Sequence, residues 1–130
     1  MLRCRPSDSG LWASAARDID CLLFSSYSDD PMFGIQAQGL AASHNYWFSV
    51  AVPSQVSHAM SSRLIGPSGE IQVSCAPGAS TLATSTLDAS APQWRIALHH
   101  ARPWRAQVRE GSIYRALHVA DPRSQNKSQF

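Results

Sequence analysis

"SSRLIGPSGEIQVSCAPGAST", Ser61–Thr81, reads as strand, tight turn, strand. Gly66-Pro67-Ser68-Gly69 suits a type I turn, with Pro at the second position and Gly at the fourth. After the turn, Ile71, Val73 and Cys75 alternate with Glu70, Gln72 and Ser74. That period of two predicts a strand with one buried and one polar face. The hairpin must therefore belong to a sheet, and its neighbours in the chain show which kind.

Upstream, "NYWFSVAVP" (Asn45–Pro53) alternates Tyr46, Phe48, Val50 and Val52 with Trp47, Ser49 and Ala51. Both parities are largely apolar, which predicts a central strand. Before it, "PMFGIQAQGLAASH" (Pro31–His44) reads as a helix with Asp30 as N-cap and Pro31 in the first turn. Phe33, Ala37, Leu40 and His44 share one side. Gly34 and Gly39 each cost about 1 kcal/mol relative to Ala in a helix interior. The stripe Gly34, Ala37 and Ala41 thus predicts close packing. Further back, Cys21–Phe24 is a short apolar run that predicts a strand buried on both faces. "YSDDP" is the loop between them, and Leu11–Asp18 fits two helical turns.

Downstream, "CAPGAS" is a loop and Thr81–Asp88 a weaker strand. A helix is predicted from Pro92 to about His100, with Pro103 interrupting it. The domain organisation is an irregular entry segment (1–16), a domain (17–120) and a polar tail (121–130).

With 130 residues, 44% hydrophobic and 15% charged, the chain can bury a real core and is not a charge-rich disordered segment. The net charge of +2 names no partner. Its distribution says more, because seven of the basic residues follow Trp94, against Glu110 and Asp121. Cys4, Cys21 and Cys75 have no CxxC spacing, which fits a reducing compartment rather than a disulfide scaffold. No apolar run reaches the ~20 residues that span a bilayer, and "MLRCRPSDSG" lacks the apolar stretch of a signal peptide. The expectation is a cytoplasmic protein with no membrane partner.

Motifs for catalysis or metal binding are sparse. His99 and His100 are adjacent, and His44, His58 and His118 have no ligand at helical spacing, so no metal or cofactor is expected. "GPSGE" lacks the final glycine of a nucleophile elbow. The basic segment interleaved with Trp94, Trp104 and Tyr114 offers an alternative function, a non-enzymatic module for a polyanion or protein partner. No recognition-module pattern favours nucleic acid.

The order of segments resembles the C-terminal half of the nitrilase, or carbon–nitrogen hydrolase, superfamily. "RDIDCLLFSSYS" resembles that family's Gly-Ala-Asp strand, with Asp20 at the Asp position. Ala41-Ala42-Ser43-His44-Asn45 resembles its A-A-x-x-N helix end, and Ser62–Glu70 its S-x-I-x-x-P-x-G-E hairpin. Leu82–Asp88 and Trp94–Arg105 resemble its closing acidic strand and Arg-bearing helix. The resemblance spans roughly Arg17 to Phe130. It implies an α/β fold forming part of a four-layer α-β-β-α sandwich, here incomplete.

Complete relatives hydrolyse amides, nitriles or N-carbamoyl groups with a Cys, a Glu and a Lys. The 19 residues before Asp20 contain no Glu or Lys, and only Cys4 stands near the nucleophile's distance, followed by Arg5-Pro6-Ser7 instead of Phe-Pro-Glu. His44 stands where many relatives carry glutamate. The resemblance implies a truncated or split member, inactive alone, that self-associates or recruits a chain supplying the N-terminal half. Ser25, Ser26 and Tyr27 would stand at the wall of the substrate pocket. Removing the missing half should bare apolar faces, including some of Tyr46, Phe48, Val50 and Val52.

Overall fold

The computed structural model describes residues 19–110. The entry segment with Cys4, the Leu11–Asp18 turns, and the polar tail lie outside the described residues. The protein is mixed α/β. Strand β1 (Cys21–Ser25) leads through helix α1 (Met32–His44) to β2 (Trp47–Ala51). Strands β3 (Arg63–Ile65) and β4 (Ile71–Ser74) follow. The sheet order is β1-β2-β3-β4, with β1 and β2 parallel and the other pairs antiparallel.

The helix starts one residue later than the sequence suggests, with Pro31 in the capping position. Asp30 still performs the capping chemistry, since its Oδ1 accepts the Met32 N–H at 2.9 Å. Helix α1 buries the predicted stripe Gly34, Ala37 and Ala41. Asn45 ends it in the left-handed region at φ 57°. Asn is one of the few residues that tolerates this conformation.

Strand β2 is central, as its two apolar parities require. Phe48 and Val50 point toward α1, where they pack with Ala37, Ala41, Tyr46, Met60 and Ile65. Burying each large side chain contributes about 2 kcal/mol. An aromatic row, His44, Tyr46, Phe48 and Phe24, runs through this layer at centroid separations near 6 Å. On the opposite face Trp47 meets Trp94 edge to face, with Leu98, Cys21, Leu64 and Ala91 around them. The expected exposure of Tyr46, Phe48 and Val50 is therefore overturned: all three are buried, in a layer they share with Ala37 and Ala41 of α1 and with Met60. Val52 is half-buried against the same core.

Other expectations also change. Strand β1 is not buried on both faces: it is an edge of the described sheet, and Leu23 is 78% exposed. Strand β4 is the opposite edge. Its apolar parity is half-buried at best, with Ile71 exposed and the register shifted between Leu64 and Ile65. Thr81–Asp88 forms no strand. Leu82 and Leu87 are exposed, so its alternation finds no layer to pack against. It ends in a turn in which the Ser90 hydroxyl and then the Ser90 N–H bond the Asp88 carboxylate and hold it below its ordinary range.

Pro103 does not stop the last helix. A 3₁₀ turn (Pro92–Trp94) leads into a π-helical stretch (Arg95–Ala101) and then α2 (Arg102–Glu110). The Arg102 N–H donates to the Ala97 carbonyl five residues back. This wide turn stands just ahead of Pro103, whose ring would clash with a carbonyl inside a continuous α-helix. From α2, Arg102 bonds Asp20 Oδ1 at 2.8 Å and the Ile19 carbonyl at 2.9 Å. Arg105 bonds the Ala42 carbonyl and, at 2.9 Å, Asn45 Oδ1.

Candidate functional site

Parallel β1 and β2 end together at Ser25 and Ala51, where Ser26 N–H donates to the Ala51 carbonyl at 3.0 Å. Antiparallel pairing brings Ser62, ahead of β3, and Cys75, after β4, to this same end, joined by Cys75 N–H to the Ser62 carbonyl at 2.8 Å. Ser25 closes β1 at this end, and Ser26 and Tyr27 follow it. Tyr27 is 75% exposed.

The rim also contains a cavity of about 400 Å³. Val52, Ser57, Ser62, Cys75, Thr81 and Leu82 contribute to its wall, and Ser25, Ser26 and Tyr27 do not. Two serines hold its shape. Ser62 Oγ accepts the Val52 N–H at 2.9 Å and donates to the Val52 carbonyl at 3.1 Å, clasping the end of β2. Buried Ser57 donates to the Ser54 carbonyl at 2.9 Å and accepts the Gly78 N–H at 2.7 Å, tying the two wall loops together. The Cys75 thiol points to the Thr81 carbonyl at 3.5 Å.

The chemistry of this wall is neutral. Among the described residues no carboxylate, imidazole or cation lines it. A thiol attack on a nitrile or amide carbon needs a base to form the thiolate and donors for the developing charge. Glu70 is at the far end of β4, where Ser68 donates to its carboxylate in the hairpin turn. The only lysine in the sequence is Lys127. The cavity can hold a small neutral molecule; its described walls supply no means to activate one. Cys21, the other described thiol, sits under the Trp94 layer, where burial and then the Asp20 charge push it up from its ordinary 9.0. Among the described residues no three His, Cys, Asp or Glu side chains gather within reach of one metal ion. No described helix is long and apolar enough to cross a membrane.

Ser57, Ser62 and Cys75 carried no mark in the sequence as a set. Their one shared signal is that Ser62 and Cys75 flank the hairpin symmetrically, which places them side by side at its open end.

Comparison of the chain with models of protein families, with curated proteins and with solved structures found no match.

Proposed function

We propose that this chain is a catalytically incomplete relative of the carbon–nitrogen hydrolases. It keeps the scaffold of the C-terminal part of their α-β-β-α sandwich and does not hydrolyse amides, nitriles or N-carbamoyl groups by itself. One observation carries the reading. Asn45, at the end of the helix motif, donates through Nδ2 to the Ala42 carbonyl and to Pro67 O in the hairpin turn, each at 3.2 Å. Two sequence motifs that define the resemblance are thus joined by one buried side chain. Gln38 adds a second tie, from Nε2 to the Gly69 carbonyl at 2.9 Å.

A four-layer sandwich needs a second sheet. The face of β1 and β2 opposite α1 is covered at one end by Trp94 and Leu98, while Leu23 and Ala51 at the other end are exposed. That open end is where a chain supplying the N-terminal half would seat, bringing the Glu and Lys absent here. The polyanion reading is the weaker one, because Arg102 and Arg105 are committed to Asp20, Asn45 and main-chain carbonyls.

The test is turnover of a simple amide, a nitrile and an N-carbamoyl amine by the purified chain, beside Cys4→Ala and Cys75→Ala. The expected result is no hydrolysis above buffer in any of the three. Turnover that disappears with either thiol would overturn the reading.

A further inference from the structure

Cys21–Ser25 has the composition of an interior strand, with no charge, no proline and no glycine. Yet β1 is an edge of the described sheet. Edges of this kind are normally blunted by charge, proline or a bulge, because their open N–H and C=O groups template another strand.

The outward groups can be identified. Trp47 N–H donates to the Asp20 carbonyl at 2.9 Å, and Ser26 N–H donates to Ala51 O. Along a strand, successive residues aim their main-chain groups to opposite sides. The even-numbered residues of β1 therefore bond β2, and Cys21, Leu23 and Ser25 aim their N–H and C=O outward. Among the described residues nothing receives them.

We propose that the β1 edge pairs with the β1 edge of a second copy of this chain, antiparallel, about a two-fold axis through Leu23. This register is self-complementary. Leu23 exchanges both main-chain bonds with Leu23 of the second copy, and Cys21 does so with Ser25. Every outward group is used, and the two sheets become one. Exposed Leu23 covers its own symmetry mate, and exposed Tyr27 falls opposite Ile19. Charge permits the approach. The strand itself is neutral, and each Asp20 is neutralised by its Arg102. The two Asp20 residues stand six positions apart in register, roughly 20 Å at ~3.4 Å per residue, well beyond the ~8 Å screening length. A short edge interface belongs to the small, weak class, so a dimer in the micromolar range is expected.

The experiment uses the full chain. Sedimentation should show a monomer at low micromolar concentration and a dimer at about a hundred micromolar. Residue-resolved hydrogen exchange should show the Leu23 and Ser25 amides gaining protection as concentration rises. Leu23→Lys should be monomeric throughout with an unchanged circular dichroism spectrum, since Leu23 is exposed, and mixing Leu23→Lys with Leu23→Glu should restore the dimer. With the three native cysteines replaced by serine, Leu23→Cys should cross-link between copies far faster than Leu82→Cys. The hydrogen-bonded pair places its Cα atoms about 5.5 Å apart, within disulfide range. Protection independent of concentration would mean that another segment of the same chain occupies the edge, and the proposal fails. It fails equally if these amides exchange freely at all concentrations, or if Leu23→Lys still dimerises. None of these readouts involves hydrolysis, so the result stands apart from that of the turnover test.

Discussion

Replacing Gly66 by alanine isolates one contact that shapes the second face of the sheet. A Cβ at Gly66 would lie 2.8 Å from Cζ3 of Trp94, 3.3 Å from Cζ2, and closer still to Cη2. The indole has little freedom to retreat, because it is buried, rests edge-on against Trp47 at 6.2 Å, and shares its layer with Leu98. Overpacking of this kind costs about 1–3 kcal/mol, and complete loss of a buried Trp about 3–5 kcal/mol, which sets the ceiling. Gly66 does not have positive φ, so alanine also stiffens the unfolded chain and returns about 0.4–1 kcal/mol. The net expectation for Gly66→Ala is a loss of about 2 kcal/mol, or roughly 8 °C in Tm. In a Trp94→Ala background the clash is gone and only the entropic gain remains, so the same substitution should be neutral or slightly stabilising. Urea denaturation followed by far-ultraviolet circular dichroism measures all four corners of the cycle. A coupling below about 0.5 kcal/mol would show that Trp94 is not the reason glycine stands at this position.

Gly69 has φ 91°, and a side chain there would press on Ala42 Cβ and the Gln38 carbonyl at 3.0 Å, so Gly69→Val should cost roughly 2 kcal/mol or more in denaturant melts while Ser68→Ala costs less than half of that. Asn45→Gly should lose the buried amide bonds to Ala42 and Pro67, and Asn45→Ala should lose about 1 kcal/mol more because alanine resists the left-handed conformation; equal losses in the two variants would refute that account. The raised Cys21 thiol should alkylate more slowly than an unstructured thiol at pH 8. Its folded state holds the proton more tightly than the unfolded state, so its contribution is complete below the unfolded value and is lost as pH rises above about 9 through the folded one, and a pH series of melts on wild type and Cys21→Ala should diverge there.

The β1–α1–β2–hairpin order was legible because each element carries a local signature: a helix stripe of small residues, a two-sided apolar strand, a Pro-Ser-Gly turn. What could not be read was which apolar face meets which neighbour. The run Leu22-Leu23-Phe24 records a tendency to be buried, and position in the sheet depends on partners elsewhere in the chain. Tyr46, Phe48 and Val50 are covered by α1 because the same small-residue stripe that lowers helix propensity lets the helix come close. The expected break at Pro103 rests on the clash a proline makes inside a regular α-helix, and the wide turn before it removes that clash. The cavity was invisible for a different reason. Its wall is assembled from loops about twenty residues apart, and Ser57 and Ser62 act through backbone bonds that leave no motif.

The π-helical stretch Arg95–Ala101 has a consequence for chain length. An α-helix advances about 100° per residue, so a helix behaves as a screw whose angular phase is set by the number of residues before it. Arg102 and Arg105, three apart, share one face of α2 and reach Asp20 and Asn45 only at the present phase. A wide turn holds one residue more than an α turn for about the same rotation, so removing one residue from Arg95–Ala101 would tighten it to an ordinary turn and leave both guanidinium groups near their present phase. Removing a further residue, with no wide turn left to absorb the loss, would swing both about 100° around the axis, and the two clamps to the sheet and to the end of α1 would be lost together. The π-helical stretch is thus a spare length of thread, one residue of slack that the chain can give up without turning its arginines away.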